Sequence, residues 1–357
     1  MSDLSRRDFL KASAALTMSP LWLQLLDPAV ATAAEPYADA KLVAGEPPLP
    51  EEGSFTVVVL PDTQNYSEKH PDIYLAQTKW IVENQSARKI AAVLHLGDIT
   101  NRSSAAEWEV AVKAMGALDG KLPYCMVPGN HDYSEGGSCK DRTTQMSEYF
   151  PLKKLQEQAT FGGVYDQEPE RVENSYHLFE ANGRKFLVLG LEFGPRKDVV
   201  RWANEVVAQH KDREAILITH AYMYFDDTRY NWQQYGGEQK WNPHGYAIAK
   251  ATEDDVSDGE ELWSNLVSRH ENFILTFNGH VLGDGLGRMT STTPGEREVH
   301  QILVNYQMRP NGGDGWLRLL EFRPDGKTLA IYDYSPTRGE RNESAQNQFE
   351  LTLAAVK

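Results

Sequence analysis

The chain has 357 residues, 41% of them hydrophobic, and a formal net charge of −15 at pH 7. That is enough apolar chain for one large core or two modest ones, and no linker in its middle forces two. So acidic a composition disfavours nonspecific nucleic-acid binding, which depends on neutralising phosphates with Lys and Arg, and no nucleic-acid scaffold is expected as a partner.

Residues 1–34 read as a leader. Ser5-Arg6-Arg7-Asp8-Phe9-Leu10-Lys11 has the form of a twin-arginine export signal, followed by a moderately apolar stretch over 12–26 and small residues at Ala31-Thr32-Ala33. A membrane anchor is the competing reading. The apolar stretch contains Ser, Thr, Pro and Gln, however, and is shorter than the roughly 20 residues a span needs. The expectation is a periplasmic or secreted protein that meets the twin-arginine translocase during export and keeps no stable membrane anchor. Three acids (Asp3, Asp8, Asp27) and three bases (Arg6, Arg7, Lys11) lie in the leader, so its removal leaves the net charge unchanged. Residues 35–53, rich in Pro and Glu from Ala44 onward, read as a linker. Residues 54–357 read as a single domain.

Within that domain, five apolar runs each end in a polar turn, and each reads as a buried strand stopped by its turn residues. The run 55–60 leads into Asp62 and Gln64, and 91–96 leads into Gly97 and Asp98. The run 122–127 leads into Pro128-Gly129-Asn130-His131-Asp132, 215–219 into His220, and 273–277 into Asn278-Gly279-His280. Helical spacing of apolar residues appears over 72–84, 105–118, 199–207 and 260–267. If the five strands share one sheet, their tips meet at its carboxyl end, the crevice where open α/β sheets bind ligands. Taken singly, Asp62 or Asp98 is an ordinary turn or cap residue and His220 or His280 an ordinary core histidine. Together, two carboxylates, two amides and three imidazoles need a cation, because unpaired buried carboxylates repel and protonate.

Segments 134–168 and 222–255 follow motif turns directly and should overhang the site. From Val299 the pattern becomes strands, and 298–357 reads as a second sheet. Cys125 and Cys139 leave both a disulfide and buried free thiols open, and two cysteines alone make no thiolate metal site.

The ordered set Asp62-Thr-Gln64, Gly97-Asp98, Gly129-Asn130-His131-Asp132, Thr219-His220 and Gly279-His280 resembles the calcineurin-like metallophosphoesterases. Their pattern is Asp-x-His, Gly-Asp, Gly-Asn-His-Asp/Glu, His and Gly-His-x-His. The resemblance implies an α/β fold, a β-sandwich of two mixed sheets flanked by helices with the metal site at strand carboxyl ends. It implies a metal-dependent phosphatase or phosphodiesterase holding two divalent ions, drawn from Mn, Fe, Zn or Mg. The first ion would take Asp62, Gln64 and Asp98, and the second Asp98, Asn130, His220 and His280, with Asp98 bridging. The ions would orient the phosphoryl oxygens and hold a deprotonated water, while His131 protonates the leaving group. Gln64 and Leu282 stand where the pattern has histidine, so the first site is expected to favour harder cations such as Mn²⁺ or Mg²⁺. Asp284 is a nearby carboxylate with a turn role as its alternative. Arg102 and Asn130 are candidate phosphate contacts, Arg102 with an exposed helix-start role as its alternative. A phosphate-binding protein with a depleted first site is the competing function.

Overall fold

The computed structural model describes residues 40–354, so the leader expected over 1–34 lies outside the described residues. The chain first lays down β1 (Leu42–Ala44), β2 (Phe55–Leu60), α1 (Gln64–Lys69), α2 (Pro71–Glu83), β3 (Ile90–His95), α3 (Ala105–Met115) and β4 (Tyr124–Met126). There follow β5 (Phe161–Val164), β6 (Ser175–Ala181), β7 (Arg184–Leu191), α4 (Lys197–Gln209), β8 (Glu214–Thr219), α5 (Gly259–Asn265), β9 (Phe273–Asn278), β10 (Leu286–Thr292) and β11 (Glu298–Val304). The last strands are β12 (Leu317–Phe322), β13 (Thr328–Ser335), β14 (Glu340–Asn342) and β15 (Gln348–Thr352).

These strands build two mixed sheets, in the orders β1-β14-β13-β12-β2-β3-β4, with β15 also on β13, and β10-β11-β9-β8-β7-β6-β5. In the first, β2, β3 and β4 run parallel and β12 pairs antiparallel with β2. In the second, β7, β8, β9 and β11 run parallel, with antiparallel β6 and β10 at the flanks. Two expectations are corrected here. The five motif strands do not share one sheet: β2, β3 and β4 belong to one and β8 and β9 to the other. Nor do residues 298–357 form a sheet of their own. Strand β11 joins β9, and β12–β15 extend the sheet of β2.

Period-two alternation explains how both faces of each sheet are filled. On β2, Val58 and Leu60 join the cluster with Trp80 and Ile81 of α2 and Trp108 and Met115 of α3. Phe55, on the opposite face, packs edge-on against Phe186 of β7 at 5.5 Å and stacks on Phe322 of β12 at 4.8 Å. On β7, Leu187, Leu189 and Leu191 turn outward to Trp202, Val206 and Val207 of α4. Helix α3 starts where Ser104 and Glu107 form a reciprocal capping box, worth about 0.5–2 kcal/mol.

The linker expected over 35–53 is in part built into the fold. Leu42–Ala44 is an edge strand on β14. The buried Arg88 guanidinium then grips the next turn, donating to the Glu46 carboxylate at 2.7 Å and to the carbonyls of Pro47 and Pro48 at 2.9 and 3.1 Å. Segment 134–168, expected only to overhang the site, contributes β5 and two short helical turns, Met146–Tyr149 and Leu152–Leu155. Cys125 and Cys139 are both free, buried thiols, each pushed up to about 12 by burial.

Candidate metal centre

The carboxyl ends of β2, β3, β4, β8 and β9 deliver their turns to one place, although they come from two sheets. Asp98, His220 and His280 have donor atoms within 4.8 Å of one another. Asp62 joins them through the main chain, its Oδ2 accepting from the His280 N–H at 2.8 Å. Asn130 and His131 are tied in by the His131 N–H, which donates to Asp98 Oδ1 at 3.0 Å.

The turns are tight because the donors occupy the space of missing side chains. A Cβ on Gly279 would lie 1.9 Å from Asp62 Oδ1, and one on Gly129 would lie 2.2 Å from Asp98 Oδ1. Asp98 and His280 themselves adopt left-handed backbone, at φ 47° and 76°, a cost typical of residues held for function. Gly279→Ala should therefore displace Asp62 and destabilise the protein by about 1–3 kcal/mol. Thermal melting of the metal-free variant beside its metal titration checks this; an unchanged melting point with unchanged binding would refute the crowding argument.

Three histidines are each oriented by a main-chain carbonyl. A carbonyl only accepts, so the ring nitrogen facing it carries the proton. His220 Nδ1 lies 2.8 Å from Leu96 O, His280 Nε2 lies 2.8 Å from Trp241 O, and His131 Nδ1 lies 2.8 Å from Asn101 O. The other nitrogen of each ring is thereby left with a lone pair for a ligand or a proton. Behind the His220–His280 pair, whose centroids are 4.8 Å apart, the buried Phe193 ring packs at 5.9 and 5.3 Å. Neither Trp241, Phe193 nor Asn101 carried a motif that sequence reasoning could use.

Two further side chains hold the turns together without joining the donor set. Asp132 points inward, accepting from the amides of Ile99, Thr100 and Gly129 and from the Thr100 hydroxyl. His95 takes the Gly97 N–H on Nδ1 and therefore donates from Nε2 to Thr63 Oγ1 at 2.9 Å, stapling the first two turns; burial pushes it down to about 3 and keeps it neutral. Arg102 is exposed, and its Nε donates to Glu68 Oε1 at 2.9 Å. Asp284 accepts from the Leu286 amide at 3.1 Å, as its turn role requires.

The donor set fits cations. Asp62 Oδ1, Gln64 Oε1, Asn130 Oδ1 and His220 Nε2 are buried polar atoms without a hydrogen-bond partner, a costly condition that a bound ion relieves. His220 Nε2 lies 3.2 Å from Asp98 Oδ1, close enough for one ion to draw on both. Before a cation binds, burial pushes Asp62 up to about 7, against the pull of His220 and with the push of Asp98. For Asp98 burial also opposes ionisation, but His220, His131 and His280 prevail and hold it below the usual carboxylate range. Burial opposes charging of His220 as well, yet Asp98 and Asp62 raise it to about 9.

A family model described as "Calcineurin-like phosphoesterase" matches residues 55–309, the span holding every one of these turns. The chain belongs to the calcineurin-like phosphoesterases. This family works with a divalent metal centre, typically of two ions, on phosphate esters. A second model, the twin-arginine translocation pathway signal sequence, matches residues 3–21 and marks this phosphoesterase for export to the periplasm or beyond. Among the described residues no helix is long and apolar enough to cross a membrane. "Uncharacterized protein YvnB" of Bacillus subtilis is 30% identical over 317 residues, covering 85% of this chain but 22% of that protein, so the chain spans about a fifth of its relative. Among solved structures, the purple acid phosphatase PPD1 of yellow lupin is 12% identical at a TM-score of 0.49, covering 84% of this chain and 54% of that one. The 5'-nucleotidase precursor of Thermus thermophilus is 13% identical at 0.42, covering 83% and 56%.

Proposed function

We propose that this phosphoesterase hydrolyses phosphomonoesters or phosphodiesters at a dinuclear centre. Asp62, Gln64 and Asp98 would hold the first ion, and Asp98, Asn130, His220 and His280 the second. The observation that supports the reading most is the set of four buried donor atoms without a hydrogen-bond partner, on the turns after β2, β4 and β8. Bound there, two divalent ions would neutralise phosphoryl charge and lower the pKa of an attacking water. The protein's own contributions follow from the geometry. Asp98 is pinned by the His131 amide, so the bridging carboxylate and the proton donor are fixed relative to each other. Asn101 O holds the proton on His131 Nδ1, so Nε2 is the nitrogen that would carry the ring's second proton and pass it to the leaving group. Unlike the buried ligands, His131 is partly open to solvent, where a substrate can meet it.

The first set is all oxygen, which favours Mn²⁺ or Mg²⁺ over softer ions, whereas the second has two imidazoles and suits Mn²⁺, Fe²⁺ or Zn²⁺. Elemental analysis of exported protein, followed by hydrolysis of p-nitrophenyl phosphate and its bis ester with added Mn²⁺, tests this. About two metal equivalents and turnover on either ester are expected. One equivalent with no turnover on either ester would leave a phosphate-binding protein, the reading that the missing imidazoles at Gln64 and Leu282 favour.

A further inference from the structure

An amide binds a cation through its oxygen only, so Gln64 serves as a ligand in one of its two orientations. The choice is made outside the centre. Glu68, four residues on in α1, accepts from Arg102 Nε at 2.9 Å on Oε1, while its Oε2 lies 2.9 Å from Lys69 Nζ. Contact with Lys69, helped by Arg102 against partial burial, holds Glu68 below the usual carboxylate range, so it stays an acceptor. Asn101 therefore turns its Nδ2 to Glu68 Oε2, at 2.8 Å, and its Oδ1 is left to face Gln64. Gln64 answers with Nε2 at 3.3 Å, which places its Oε1 on the other side of the amide, buried and without a partner.

We infer that Glu68 and Asn101 form a polarity relay that fixes Gln64 with its oxygen toward the first cation. Both are positioning residues that act through Gln64, and the inference rests on the dinuclear reading above. The relay supplies what an imidazole would otherwise bring, a neutral donor atom held in one orientation. Asn101 also accepts His131 Nδ1, but through its main-chain oxygen, so changes to its side chain leave that contact in place.

The test is Mn²⁺ titration of the metal-stripped full chain, followed by calorimetry and by the loss of the free-Mn²⁺ electron paramagnetic resonance signal. Asn101→Ala should weaken the first site by about 10- to 100-fold, as removal of such supporting groups does, and leave the second unchanged. Glu68→Gln, whose amide can present either end, should weaken the same site by less. The exchange variant Glu68→Gln/Asn101→Asp restores the polarity with the groups swapped, the new amide donating to a carboxylate that still accepts from Gln64. It should bind at the first site more tightly than Glu68→Gln alone, a rescue that a merely structural role does not provide. Unchanged first-site affinity in Asn101→Ala, or an exchange variant no better than Glu68→Gln, overturns the relay while two ions still bind. A single site in the parent protein overturns the dinuclear reading, and the relay with it.

Discussion

His131→Ala is expected to lower kcat for phosphate-ester hydrolysis by about 10²- to 10⁴-fold, the usual loss when a positioned proton donor is removed. Metal content should hold, because the contact from residue 131 to Asp98 is made by the main-chain amide and survives in alanine. The size of the loss should depend on the leaving group. p-Nitrophenolate departs without help, so its ester should suffer least, while an alkyl phosphate, whose alkoxide needs a proton, should suffer most. Side-by-side kinetics with the two ester types and elemental analysis of the variant check both parts. A loss equal for the two esters would move His131 from proton transfer to phosphoryl binding, and no loss would remove it from the mechanism.

Metal removal should have the second large effect, and its sign with pH is set by His220. Ligand binding stabilises the folded state by about 4 kcal/mol per site when free metal is a thousand times Kd, so chelation should lower the melting point markedly at neutral pH. In the metal-free protein the folded pKa of His220 is raised from 6.5 to about 9 by its neighbouring carboxylates. Its contribution is thus fully present below about 6.5 and is lost as pH rises through about 9. Metal ligation requires the neutral ring, so a proton must leave first at lower pH. The gap between metal-loaded and chelated melting points should therefore widen from pH 6.5 to about 9 and then flatten. His244, clamped between Asp254 and Glu261 and likewise raised to about 9, contributes to both curves and cancels in the difference. A gap independent of pH would mean that His220 does not carry a proton in the metal-free centre.

Much of this centre could be read from the chain because its donors follow strands directly. A short apolar run that ends abruptly leaves little freedom in where the next polar side chain goes, so the sequence alone puts Asp62, Asp98, Asn130, His220 and His280 at strand ends. The sheet assignment was not legible. A buried strand records that both faces are covered, not which neighbour it pairs with, so β2 and β8 look alike in sequence yet lie in different sheets. The edge strand β1, three residues long, falls below any periodic signal. Arg102 follows Asp98 closely enough in sequence to suggest a phosphate contact, but its partner Glu68 sits 34 positions earlier and is brought to it only by α1. Asn101 and Trp241 orient His131 and His280 through main-chain oxygens, and a main-chain oxygen leaves no trace in the identity of its residue.

Because Leu96, Asn101 and Trp241 orient the three imidazoles through atoms every residue possesses, substitution at these positions leaves the acceptors themselves unchanged. Position 241 lies in the loop between β8 and α5, beside the centre, with its side chain 37% exposed. Lineages, or a mutant library, can vary that side chain to explore new substrates while the carbonyl continues to hold His280. Residues chosen at 241 need only tolerate the left-handed backbone found there, φ 65°, which makes Gly and Asn the easiest starting points.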